Sequence, residues 1–222
     1  MIIYSNGCSH TADVKQNYDN VYIDILANEV LQNYKTIKVQ EGHYNKFKNF
    51  NFKDLDTDTN YLLKNAEHGK SNDLIFFESY NVIKDSIINN VKLDFVIIQF
   101  SGVNRRIHSN PDGSLLKVNP FDNSEMGVKF DPFATEQSLQ YILILQDLLK
   151  EHSINYCFIP YMEFDSDTLD KSSNLKFIDT KYLTTNLYDG HRNNFRTNGY
   201  VNDAPGHPNH QGYYILTKII LK

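Results

Sequence analysis

Apolar and polar positions along the chain predict alternating strands and helices. Apolar runs typical of buried strands occur at 93–102 and 154–161, and a shorter run opens the chain at 1–5. Apolar residues at helical spacing follow or separate these strands, in segments 20–33, 69–87, 135–153 and 209–222. This alternation predicts a doubly wound α/β fold with a mainly parallel sheet. We expect a single domain over residues 1–222, with insertions near 36–60 and 105–131.

The same spacing predicts which helical residues face the core. In the first helix these are Val21, Ile25 and Leu26, with Val30 a turn later. In the second helix they are Leu74, Phe77, Val82 and Ile83. The polar stretch 34–64 predicts at most short elements. The stretch 105–131 contains Asn-Pro-Asp-Gly and is typical of a long loop or a hairpin.

Composition narrows the class of protein. Hydrophobic residues make up 41% and charged residues 22%, as in ordinary globular proteins. The net charge is −5 and no Lys/Arg-rich block occurs, so a nucleic-acid partner is disfavoured. No apolar run approaches the roughly 18 residues of a membrane span, so no membrane partner is expected. No signal peptide is recognisable, which predicts a cytoplasmic protein or one associated with a phage or virus particle.

The two cysteines, Cys8 and Cys157, do not form a disulfide framework. Cys157 lies in an apolar strand-like run and is predicted to be a small buried residue. The histidines show neither a His-x-x-x-His pair nor an accompanying cysteine pair, so no metal site is predicted.

Residues with reactive side chains follow the predicted strands. In sheets of this kind, ligands bind at the carboxyl ends of the strands. Ser9 follows the first strand after an Asn6-Gly7 break, and Asn104 follows the strand at 93–102. His207 lies just before the last helix. Together these loops offer a hydroxyl, an imidazole, a carboxylate and hydrogen-bond donors, which are the groups that acyl transfer requires.

Four stretches resemble, in order, the sequence blocks of the SGNH (GDSL-like) hydrolase family. Gly7-Cys8-Ser9 is similar to the Gly-Asp-Ser block, and "NAEHGKSN" at 65–72 is similar to the second block. Gly102-Val103-Asn104 matches the third block, and "DAPGHPNHQG" at 203–212 resembles the last. The resemblance implies a flavodoxin-like, three-layer α/β/α fold and an esterase-type activity without a cofactor.

The resemblance also implies residue roles. Ser9 would be the nucleophile, His207 the general base and Asp203 the acid that orients the imidazole. The oxyanion would be bound by the backbone N–H groups of Ser9 and Gly69 and by the side-chain amide of Asn104. More weakly, His10, Asn72 and Arg105 are predicted to contact the substrate.

The sequence departs from the family pattern in three places. Cys8 stands where most members have Asp, and Arg105 follows the Gly-x-Asn block where many have Asp. Asp203 precedes His207 by four residues, whereas three is the commoner spacing, so Asp189 stays open as an alternative acid.

Two functional hypotheses follow. The first is a serine esterase for small acyl esters, favouring O-acetyl groups of a carbohydrate, because the loops are polar and rich in Tyr and Asn. The second is a non-catalytic or structural SGNH-like carbohydrate-binding protein associated with a phage particle. The joint presence of Ser9, Gly69, Asn104 and His207 favours the enzyme.

Overall fold

A five-stranded parallel sheet organises the chain in the computed structural model. The structure describes residues 1–7, 22–39, 50–66, 70–101, 106–109, 115–118 and 132–160, together with positions 214, 217, 218 and 220. In chain order the elements are β1 (Ile2–Gly7), α1 (Tyr22–Val30), β2 (Tyr34–Lys38), a 3₁₀ turn (Phe52–Asp54), β3 (Asn60–Ala66), α2 (Asn72–Ile88), β4 (Phe95–Phe100), β5 (Arg106–Ser109), β6 (Leu115–Val118), α3 (Pro132–Glu151) and β7 (Asn155–Pro160).

The strand order in the sheet is β2-β3-β1-β4-β7, and all neighbouring strands are parallel. β1 is therefore the central strand, and its consecutive side chains Ile3 and Tyr4 are both buried, one on each face. The chain first builds the sheet on one side of β1 and then crosses to the other side. This is the doubly wound parallel sheet that the sequence predicts.

Helices cover both faces of the sheet. Residues of α2 and α3 pack with Tyr4, Leu63 and Ile98 in one core cluster. Residues of α1 pack with Ile3, Leu62 and Ile97 in a second cluster on the opposite face, together with Ile220. The four described positions near the carboxyl end are helical, as the sequence predicts for that segment. The fold is thus a three-layer α/β/α sandwich.

Two residues predicted to be buried face solvent. Phe77 in α2 is 54% exposed, and Val30 at the end of α1 is 38% exposed. Phe77 lies two residues after the buried Ile75, about 200° around the helix, and therefore on its outer side. The inward positions that follow Ile75 are instead Glu78 and Ser79, which are both buried.

The two predicted insertions contain regular structure. β2 overlaps the insertion near 36–60 and pairs in parallel with β3, so this part belongs to the sheet. Its exposed Lys35 and Lys38 are typical of an edge strand, where charge discourages further pairing. The insertion near 105–131 contains the antiparallel β5–β6 hairpin, which confirms one of the two structures expected there.

Cys157 lies inside the sheet. Its side chain is buried in β7, and burial raises the pKa of the thiol to about 12. The thiol is therefore protonated at neutral pH and is not a nucleophile, which confirms the prediction of a small buried residue. Cys8 lies outside the described residues. Within the described ranges, no helix is long and apolar enough to cross a bilayer.

Candidate active site at the carboxyl edge of the sheet

The carboxyl ends of β1, β3 and β4 lie side by side. Gly7 at the end of β1 pairs with Ala66 at the end of β3. On the other side of β1, Asn6 pairs with Ile98 of β4, two residues before that strand ends. The three loops that follow these strands therefore start at neighbouring positions of the same edge, where open α/β sheets bind their ligands.

The residues with predicted chemistry lie just beyond these strand ends. Ser9 is two residues after β1, Gly69 is three residues after β3, and Asn104 is four residues after β4. These three residues lie outside the described part of the chain, as do His10, Arg105, Asp189, Asp203 and His207. Their roles therefore stay predictions, and the structure describes the residues at the strand ends that precede these loops.

Asn6 is one of these residues at the strand ends. The predicted Asn6-Gly7 break is instead the last part of β1, and the Asn6 side chain is fully buried against α2. Its Nδ2 donates to the Ile75 carbonyl at 3.1 Å and to Ser79 Oγ at 2.9 Å. Its Oδ1 accepts the Gly7 N–H at 2.8 Å. With both ends of the amide bonded, the side chain has one defined orientation.

Lys70 and Glu78 form a buried ion pair next to Asn6. Each side chain is 1% exposed. The Lys70 ammonium donates to the Glu78 carboxylate, to the Asn65 backbone carbonyl and, at 3.1 Å, to Asn6 Oδ1. Lys70 directly follows Gly69, so the residue that carries this ammonium is the sequence neighbour of the predicted oxyanion donor.

Asn72 joins three elements at the same edge. Its side chain is 3% exposed, its Oδ1 accepts the Ser101 N–H at 2.6 Å, and its Nδ2 donates to Ser138 Oγ at 2.9 Å. The amide thereby connects the first turn of α2 to the end of β4 and to α3. These contacts hold the chain just before Gly102, and a contact of Asn72 with substrate stays a prediction.

The N-terminus of α2 points toward this edge, because the helix runs antiparallel to the strands. Ser71 is its N-cap residue and is buried, and its side chain makes no capping hydrogen bond. The first-turn N–H groups of a helix carry a partial positive charge that favours nearby anions. The edge is therefore electrostatically suited to negative charge that develops on a substrate.

Tyr4 contributes a neutral hydroxyl beneath the edge. Burial raises the pKa of its phenol well above the ordinary range, so the group stays protonated. Its oxygen lies 3.5 Å from Asn65 Nδ2, which donates to it. Tyr4 is thus a packing and hydrogen-bonding residue here rather than a base.

Sequence reasoning missed the buried cluster of Asn6, Lys70 and Glu78. One signal was available, because Glu78 falls on the same helical face as the apolar residues Ile75 and Val82. A carboxylate within an apolar face is rarely buried without a partner. The spacing alone could not name that partner, since Asn6 and Lys70 come from other elements.

Other features of the described chain do not compete with this edge. Two surface cavities, of about 280 and 380 Å³, lie at the opposite edge, around Met1, Lys92 and Asp94. Neither contains a residue that the sequence motifs single out. Within the described residues, no group of three His, Cys, Asp or Glu side chains could hold a metal ion.

Comparison with known proteins shows that this chain is similar in structure to two solved proteins. No family model and no curated protein matches the sequence. Protein YxiM from Bacillus subtilis has a similar structure, with a TM-score of 0.49 and 14% identity, over 99% of this chain and 54% of YxiM. The chain thus spans about half the length of that protein. A proposed SGNH hydrolase from Slackia heliotrinireducens gives a TM-score of 0.44 and 14% identity, over 100% of this chain and 96% of the other.

Proposed function

We propose that this chain is a serine hydrolase of the SGNH type that cleaves small acyl esters, with O-acetyl groups of a carbohydrate as its substrate class. The observation that carries the proposal is the central position of β1 between β3 and β4. Neighbouring strands lie about 4.8 Å apart, so the loops to Ser9, Gly69 and Asn104 begin within about 10 Å of one another.

The proposed reaction uses the hydroxyl of Ser9 as nucleophile. His207 takes the hydroxyl proton as Ser9 attacks the acyl carbonyl, and passes it to the alcohol that leaves. Asp203 holds the imidazole in the required tautomer and stabilises its cationic form. Water, activated by the same imidazole, then attacks the acyl-enzyme, which releases the carboxylic acid and restores Ser9.

The oxyanion formed in each step needs donors that are already in place. The proposed donors are the N–H groups of Ser9 and Gly69 and the side-chain amide of Asn104. Glycine at position 69 lets the backbone approach the substrate closely. The N-terminus of α2, which begins at Asn72, adds positive potential on the same side.

Turnover of p-nitrophenyl acetate by the purified protein tests the reaction class, and acetate release from an O-acetylated oligosaccharide tests the substrate class. We expect both reactions, together with covalent labelling by a fluorophosphonate. Absence of both turnover and labelling would reject the hydrolase. Binding of the oligosaccharide without acetate release would favour the non-catalytic carbohydrate-binding alternative.

Replacing Asn104 with alanine is expected to lower kcat by about 10²–10³-fold with little change in KM. The amide is proposed to act mainly on the transition state, so its loss should not weaken substrate binding. Steady-state kinetics with p-nitrophenyl acetate measure this effect. Asn89→Ala, at the other end of α2, is the matched control and should be as active as the parent protein. An effect confined to KM would make Asn104 a binding residue.

A further inference from the structure

The buried ion pair of Lys70 and Glu78 calls for an explanation other than stability. Both side chains are 1% exposed. Removing two charges from water is costly, and well-packed apolar residues of similar size often stabilise a fold as well or better. A buried lysine and glutamate at the edge where the predicted catalytic loops begin therefore suggest a role in arranging that edge.

The contacts of Lys70 reach the ends of two neighbouring strands. Its ammonium donates to Asn6 Oδ1 in β1 and to the backbone carbonyl of Asn65 in β3. Glu78 in α2 accepts a third hydrogen bond and supplies the opposite charge. We call these four residues the Lys70 cluster. An apolar side chain at position 70 would fill the space but could not donate to these oxygens.

The Lys70 cluster is adjacent along the chain to two of the predicted catalytic groups. Asn6 precedes Ser9 by three residues, and its Oδ1 also accepts the N–H of Gly7, the last residue of β1. Lys70 itself follows Gly69. One ammonium thus joins the strand that leads to the predicted nucleophile to the strand that leads to the predicted oxyanion donor.

We infer that Lys70 is a positioning residue whose ammonium sets the spacing between Ser9 and the Gly69 N–H. The inference rests on the proposed function, because it concerns how well that site is arranged. Catalysis depends steeply on such spacing, since a displacement of about 1 Å can cost about 10²-fold in rate. Lys70 touches neither substrate nor reacting atoms in this role.

The test replaces the ion pair by apolar residues in the double variant Lys70→Met with Glu78→Leu. We expect this variant to fold with stability close to the parent protein, because both charges are removed together. Its kcat for p-nitrophenyl acetate should fall about 10²-fold with little change in KM. The pH below which kcat/KM falls should not change, because the proposed base, His207, is not replaced.

A second ion pair provides the matched control. Lys64 of β3 and Asp24 of α1 pair at 2.9 Å on the opposite face of the sheet, and both side chains are largely buried. The double variant Lys64→Met with Asp24→Leu should keep the parent kcat. A similar loss in both double variants would attribute the effect to general disturbance of the sheet and overturn the inference.

Asn6→Ala keeps the ion pair but removes its link to β1, and covers the case that the double variant does not fold. It should also lower kcat, because the ammonium then no longer contacts β1. Parent kcat in a folded Asn6→Ala or double variant overturns the positioning role while the esterase stands. An inactive parent protein overturns both.

Discussion

Replacing Ser9 with alanine is expected to lower kcat by about 10⁶-fold, the order of loss seen when a triad serine is removed. Without the hydroxyl no acyl-enzyme can form, and only the oxyanion donors and substrate binding still favour reaction with water. Stability should change by no more than about 1–2 kcal/mol, because the substitution removes one hydroxyl and only the hydrogen bonds that this group makes. Hydrolysis of p-nitrophenyl acetate and thermal unfolding measure the two effects.

Ser5→Ala is the matched control, because Ser5 lies four residues earlier in the chain, within β1. Ser5 is fully buried, and its Oγ has no hydrogen-bond partner among the described residues, so its removal should change little. A fluorophosphonate should label Ser9 in the parent protein and in Ser5→Ala, but label nothing in Ser9→Ala. Parent-like turnover by Ser9→Ala would reject Ser9 as nucleophile.

Replacing His207 with alanine is expected to reduce kcat by a similar factor, because the serine hydroxyl is a poor nucleophile without a base. The attacking form needs neutral imidazole, so kcat/KM of the parent protein should fall as the pH drops below the pKa of this imidazole. A neighbouring carboxylate raises that pKa, which moves the acidic limb to higher pH. The pH profile of p-nitrophenyl acetate hydrolysis measures the limb.

His210→Ala is the control for the choice of histidine. His210 lies three residues after His207 in the same motif, and its loss should leave both the rate and the acidic limb intact. An inactive His210→Ala with an active His207→Ala would mean that the motif is misaligned by one helical turn. A comparison of Asp203→Asn with Asp189→Asn then identifies the acid. We expect the Asp203 variant to lose about 10⁴-fold in kcat, and a loss of this size in the Asp189 variant would identify Asp189 as the acid.

The fold was largely predictable because its apolar runs are local signals. The strand at 93–102 and the helix at 135–153 both appear in the structure, as β4 and α3, with ends that differ by a few residues. β2 was harder to predict, because an edge strand with the sequence Tyr-Lys-Thr-Ile-Lys shows no apolar run. Phe77 was misplaced because the inward face of α2 includes polar residues.

The residues of the candidate site fall into two groups, those that the sequence motifs name and those that only the structure reveals. Motif order points to Ser9, Gly69, Asn104 and His207, and no packing information was needed to name them. Asn6, by contrast, looks like a turn residue in the sequence, and the apolar face that includes Glu78 does not name a partner for its carboxylate. The tertiary structure shows that both side chains are buried and that Asn6 contacts α2, across 69 to 73 residues of chain.

The sequence by itself determined the order of strands and helices and the loops that carry the candidate chemistry, because periodicity and short motifs are properties of neighbouring residues. The tertiary structure decided which strands are neighbours. Pairing of Gly7 with Ala66, and of Asn6 with Ile98, sets which loops share an edge. It also decided that Lys70 is enclosed with Glu78, since burial of a charge depends on residues far apart in the chain that supply its partners.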